Sequence, residues 1–162
     1  MIIIGLGANL PSRFGEPRET CAAALAALAA RGVHPLRRSR LWRTAPVPVS
    51  DQPWFVNAVA VVDTDLPPDA LLDVLSFIER DFGRVRGERN AARGIDLDLL
   101  DYRGWQMYTD HLTLPHPRLH DRAFVLQPLA DIAPDWCHPL TRHPLADLIA
   151  ALPAGQVAEA MD

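Results

Sequence analysis

Ile95-Asp96-Leu97-Asp98-Leu99 alternates apolar and acidic residues over consecutive positions. A strand turns successive side chains to opposite faces, so the pattern predicts a half-buried strand with both carboxylates on one face, about 6.5–7 Å apart at the backbone. Upstream, Pro67 and Pro68 open a segment in which Leu71, Leu75, Ile78 and Phe82 recur at helical spacing and Gly83 closes, which predicts an amphipathic helix. Residues 55–62 are rich in β-branched and aromatic side chains and predict a strand. A neighbouring strand is expected over about 33–44, with a proline-punctuated loop between the two. Before it, Pro17 suits a first helical turn, the alanine-rich stretch to Ala30 favours helix, and Gly32 sits where a left-handed C-terminal cap is expected. Residues 1–6 read as a buried strand running into a turn at Gly5 and Gly7.

The order is strand, helix, strand, strand, helix, strand, the split arrangement called ferredoxin-like. The expectation is an α+β fold with a ferredoxin-like βαββαβ core, an antiparallel sheet and additional C-terminal helices at 121–132 and 145–152. Residues 105–114 are expected to add edge strand. At 162 residues and 49% hydrophobic, the chain can bury one core, so a single domain over 1–162 is expected.

All 16 basic residues are Arg, and the formal net charge is −4. That balance argues against a protein that coats nucleic acid. Charge is nevertheless uneven, because Arg80, Arg84, Arg86, Arg89 and Arg93 crowd one segment with only Asp81 and Glu88 among them. Such a loop repels itself unless an anion compensates, and the planar fork of Arg matches phosphate oxygens. The carboxylates that follow suit hard divalent ions, which take oxygen ligands and bridge phosphates. One end of one strand therefore offers metal-binding carboxylates beside phosphate-binding guanidinium groups. No apolar run reaches the length of a membrane span. Cys21 and Cys137 lie far apart, Met1 to Ile4 lack the basic flank of a signal peptide, and a reducing cytoplasmic setting is expected.

Two other motifs are weaker. Gly5-Leu6-Gly7-Ala8-Asn9-Leu10 follows a strand as a dinucleotide fingerprint does, but Leu10 stands where the third Gly belongs and Pro11 follows. His116 with His120, and Cys137 with His138 and His143, raise the question of zinc; neither has CxxC or HExxH spacing.

Arg89-Asn90-Ala91-Ala92-Arg93-Gly94-Ile95-Asp96-Leu97-Asp98-Leu99-Leu100 resembles the signature of the 6-hydroxymethyl-7,8-dihydropterin pyrophosphokinase family. Gly7-Ala8-Asn9-Leu10 looks like that family's N-terminal GSNL. Arg43-Thr44-Ala45-Pro46, Asp51-Gln52-Pro53 and Phe55-Val56-Asn57 look like its pterin-site loop and strand. Glu79, Gly83-Arg84-Val85-Arg86, Leu114-Pro115-His116, Arg122-Ala123-Phe124 and Pro128-Leu129 follow in order, so the resemblance runs from Gly5 to about Pro134. Many members carry Trp, Tyr and Arg where this chain has Asn90, Phe55 and His111.

The resemblance implies transfer of pyrophosphate from ATP to 6-hydroxymethyl-7,8-dihydropterin in folate biosynthesis, with AMP as the leaving product. It implies that Asp96 and Asp98 hold two Mg2+ ions, and that Arg84 and Arg93 act with them in catalysis. Glu79, Arg84, Arg86, Arg93, Ile95, His116 and Arg122 are implied to bind ATP. Thr44, Ala45, Pro46, Val47, Phe55, Asn57 and Phe124 are implied to bind the pterin, with both Phe rings stacking on it. A cytoplasmic monomer without nucleic-acid or membrane partners is expected. The competing readings are a non-catalytic pterin- or nucleotide-binding paralogue, which would not need two metal ligands, and a ferredoxin-like nucleic-acid module, which would need a basic face and an aromatic strand.

Overall fold

The computed structural model describes residues 1–83 and 94–161. Its elements are β1 (Ile2–Ala8), α1 (Pro17–Ala30), β2 (His34–Arg38), β3 (Leu41–Thr44), β4 (Phe55–Asp63), α2 (Pro68–Gly83), β5 (Asp96–Tyr102), β6 (Met107–Tyr108), β7 (Thr113–Leu114), α3 (Ala123–Ile132), α4 (Leu145–Ala150) and β8 (Ala158–Met161). The main sheet runs β5-β1-β4-β3-β8, with β2 also on β4, and all its pairings are antiparallel. Two βαβ halves interleave so that β5 lands beside β1, which is the ferredoxin-like arrangement.

Alternation along the strands feeds two cores. Ile2, Ile4, Leu6, Leu97 and Leu99 point to one face and pack with Ala24 and Leu28 of α1 and with Leu71, Leu75, Ile78 and Phe82 of α2. Ile3, Val59, Val61 and Leu100 point to the other and pack with Val125, Leu126, Leu129 and Ile132 of α3 and with Leu145 and Leu148 of α4. Each such aliphatic side chain contributes about 1.5–3 kcal/mol when fully buried. The α2 stripe read from the sequence is the stripe that is buried. Asp131 docks α3 on the sheet by accepting hydrogen bonds from the backbone N–H and guanidinium of Arg40 and from Trp42 Nε1.

Several expectations change. The strand expected over 33–44 is two strands, interrupted at Ser39 and Arg40. Ser39 Oγ accepts the Val59 N–H at 2.9 Å and donates to Arg40 O at 2.7 Å, so a hydroxyl replaces one rung of the ladder. Residues 105–114 add no edge to the main sheet; β6 and β7 form their own hairpin. Gly5 and Gly7 lie inside β1, not in a turn after it, because β1 extends to Ala8 and pairs on both sides. Strand β8 was not expected at all. Its four residues, Ala158, Glu159, Ala160 and Met161, carry little strand propensity.

Burial pushes the Cys21 thiol up to about 11, so it is an unreactive core group; Cys137 is exposed. No described helix is long and apolar enough to cross a membrane.

The loop after α3 turns around His138, which is 4% exposed. Its Nδ1 accepts the N–H groups of Leu140 and Thr141 at 3.1 and 3.2 Å. Burial lowers its pKa, His120 and His143 lower it further, and Asp101 opposes them. The folded chain then binds this proton less readily than the unfolded chain, so stability is full above about pH 6.5 and falls as pH drops below it. His138→Asn keeps an acceptor for the turn and removes the titration. The melting temperature of the variant should fall less than that of the wild type between pH 7.5 and pH 5.5 in scanning calorimetry. Equal falls would clear His138 of the effect.

Candidate active site

The register across the sheet brings distant residues into rows. Asp96 pairs with Gly7, Gly7 with Asn57, and Asn57 with Trp42; one rung along, Asp98 pairs with Gly5 and Gly5 with Val59. Neighbouring strands lie about 4.8 Å apart, so Asp96 and Asn57 stand about 9.5 Å apart across the intervening glycine. These residues lie on the face covered by α3, beyond the start of that helix. Because Gly5 and Gly7 have no side chains, the sheet is hollow there. A cavity of about 210 Å³ fills the hollow, lined among others by Thr44, Ala45, Val47, Phe55, Asn57, Phe124, Glu79, Asp96, Asp98 and Arg122.

Each wall has an identifiable support. Asn57 is 6% exposed, and its Nδ2 donates to Thr44 Oγ1 at 2.5 Å, leaving its carbonyl oxygen close over Gly7. Asn9 Nδ2 donates to Gln52 Oε1 at 3.2 Å, which ties the turn after β1 to the loop before β4. Glu79, near the end of α2, accepts the Leu97 N–H at 3.1 Å and so fixes the outer edge of β5 between the two aspartates. The Arg122 guanidinium lies 5.3 Å from the centre of the Phe124 ring.

A second cavity of about 280 Å³ lies along the outer edge of β5, between that strand and the segment containing β6 and β7. It is lined by Leu72, Leu97, Asp98, Leu99, His111, Thr113 and His116, among others. Asp98 lines both cavities. The His116 backbone N–H donates to Leu100 O, and its Nδ1 accepts the Arg118 N–H at 3.1 Å, so the neutral ring carries its proton on Nε2. Burial lowers the His116 pKa; Asp98 opposes this, and Arg122 and Arg118 reinforce it. A neutral imidazole is thus held as an N–H donor beside Asp98.

Most of the residues singled out from the sequence converge here. Two do not: Pro46 lines neither cavity, and the Ile95 side chain is fully buried in the core. Arg84, Arg86, Arg89, Asn90 and Arg93 lie outside the described residues. Sequence reasoning missed Gly5, Gly7, Ala58 and Val125. The signal for the first two was present, since glycines at i and i+2 leave one face of a strand bare.

A family model described as 7,8-dihydro-6-hydroxymethylpterin-pyrophosphokinase (HPPK) matches residues 3–134. The chain belongs to this family. The 2-amino-4-hydroxy-6-hydroxymethyldihydropteridine pyrophosphokinase of Methylorubrum extorquens is 45% identical over 133 residues, covering 82% of each chain. The enzyme of the same name from Pseudomonas aeruginosa is 43% identical over 158 residues, covering 94% of this chain and 91% of that one. The mitochondrial folate synthesis bifunctional protein of Arabidopsis thaliana is 44% identical over 131 residues, and the match spans 23% of its length. In fold, the chain is similar to a Plasmodium falciparum HPPK-DHPS crystal structure with pteroate, at a TM-score of 0.73 and 13% identity, over 92% of this chain and 43% of that one.

An ATP-dependent HPPK family implies a divalent metal, and the donor set can be tested for it. Among the described residues no group of three or more His, Cys, Asp or Glu converges on one point. Two strand carboxylates with no further ligand among the described residues suit an ion that keeps waters and takes substrate phosphates, which is the habit of Mg2+. They would not suit a closed structural zinc site.

Proposed function

We propose that this pyrophosphokinase of folate synthesis uses the β1–β4–β5 hollow for 6-hydroxymethyl-7,8-dihydropterin and the β5-edge cavity for ATP, joining them at Asp96 and Asp98. The observation that carries this reading is that Asp98 lines both cavities. A group held at this strand reaches two substrates at once.

Asp96 and Asp98 would hold two Mg2+ ions, which when bound neutralise phosphate charge and lower the pKa of a coordinated hydroxyl. Thr44, Ala45, Pro46, Val47 and Asn57 orient the pterin, whose amide-like edge matches the donor and acceptor of a carboxamide. Phe55 and Phe124 supply stacking surface. The hydroxymethyl oxygen bonds to the β-phosphorus of ATP, the bond from that phosphorus to the α–β bridging oxygen breaks, AMP leaves, and the hydroxyl proton passes to solvent. His116, through Nε2–H, and Arg122 donate to phosphate oxygens as charge develops on them. Glu79 steadies the strand that carries the aspartates. Arg84, Arg86 and Arg93 are assigned to the triphosphate from sequence alone, on the match of the guanidinium fork to phosphate oxygens.

We place the enzyme in the cytoplasm as a one-domain monomer. The test is incubation of the purified chain with ATP, Mg2+ and the hydroxymethyl pterin, followed by chromatography of nucleotides. AMP and the pterin diphosphate should appear in equal amounts. ADP in place of AMP, or no turnover, would overturn the assignment.

A further inference from the structure

We propose that Gln156 is a positioning residue for the wall of the site formed by Arg122 and Phe124. This rests on the roles given to those two residues above. Helix α3 begins at Ala123, and Arg122 precedes it without a side-chain capping bond. The first N–H groups of a helix need partners from elsewhere. Gln156 supplies one from 33 residues away: its Oε1 accepts the Ala123 N–H at 2.8 Å, while its Nε2 donates to Asp121 O at 2.7 Å. One planar carboxamide therefore grips the backbone on both sides of Arg122. Two bonds at fixed spacing set the rotation of residues 121–123 as well as their position, and with it the direction in which Arg122 leaves the chain.

The same segment also ties down a second part of the lining. Val157 O accepts the Ala45 N–H at 3.1 Å, and Ala158 pairs with Thr44. Thr44, Ala45, Arg122 and Phe124 all line the same cavity. Residues 156–158 thus brace two parts of the lining of one pocket, although they lie beyond the 3–134 match to the family. Gly155, at φ +91°, turns the chain into this segment in a conformation that other residues rarely adopt.

Removing the carboxamide should free the start of α3 without emptying the core, since Gln156 is only partly buried. A small misplacement of a substrate-facing group is enough to slow chemistry. Gln156→Ala should lower kcat/KM for the pterin about tenfold at a temperature where the variant is fully folded, and should speed amide hydrogen exchange at Ala123. Gln156→Glu keeps an acceptor for Ala123 but sets a carboxylate oxygen against Asp121 O, so it should lose about threefold and protect the Ala123 amide better than Ala does. This graded rescue separates positioning from bulk stability, and Glu serves alone if Ala does not fold. An active wild type matched within twofold by both variants would overturn the inference. A wild type that forms no AMP would instead overturn the functional reading, and this inference with it.

Discussion

Asp96→Ala and Asp98→Ala should each lower AMP formation by about a thousandfold or more, while far-ultraviolet circular dichroism stays that of the folded chain. Losing one of two carboxylates that gather metal removes several kcal/mol of charge stabilisation, and each 1.36 kcal/mol is a factor of ten in rate. The fold should tolerate the change because the apolar residues on either side, Leu97 and Leu99, carry the packing of β5 and face the α1–α2 core. Asp98 lines both cavities, so its loss should weaken both substrates, whereas Asp96, which lines only the first, should leave nucleotide binding less affected. Turnover in either variant within tenfold of wild type would sink the assignment of these carboxylates as metal ligands.

Gly7→Ala should weaken pterin binding at least tenfold while changing nucleotide binding little. A Cβ on Gly7 would stand 2.5 Å from Asn57 Oδ1, closer than real Cβ contacts come. Asn57 cannot swing away without breaking its bond to Thr44 Oγ1, because it is buried and held between strands. The substitution therefore fills the floor of the cavity and displaces a pterin-facing amide at once. Overpacking of this kind also costs about 1–3 kcal/mol of stability. Gly5→Ala is the internal comparison: its Cβ would meet the Leu100 Cδ1 at 3.3 Å, the end of a side chain that can rotate, and its effect should be smaller. Titration calorimetry with the pterin in the presence of a non-hydrolysable ATP analogue distinguishes the two. Pterin affinity unchanged within twofold in Gly7→Ala would show that the ring does not lie over β1.

Local pattern was enough for much of this molecule. The period of two in Ile95 to Leu99 and the helical spacing of Leu71, Leu75, Ile78 and Phe82 depend on near neighbours alone, so they survive without knowledge of the fold. The caps of α1 are equally local, and that helix spans the residues its Pro17 and Gly32 announce. The chemical content of the site was legible for the same reason, since two carboxylates at i and i+2 share a strand face wherever the strand is placed. Tertiary structure alone decided what those carboxylates face. Strand register is a contact between segments fifty or more residues apart, and it sets Gly7 between Asp96 and Asn57. It also turned two glycines that read as a turn into the floor of a cavity. The break at Ser39 depended on the Val59 N–H across the sheet. Strand β8 has almost no propensity of its own; it exists because β3 offered an unpaired edge, and an edge is a property of the assembled sheet.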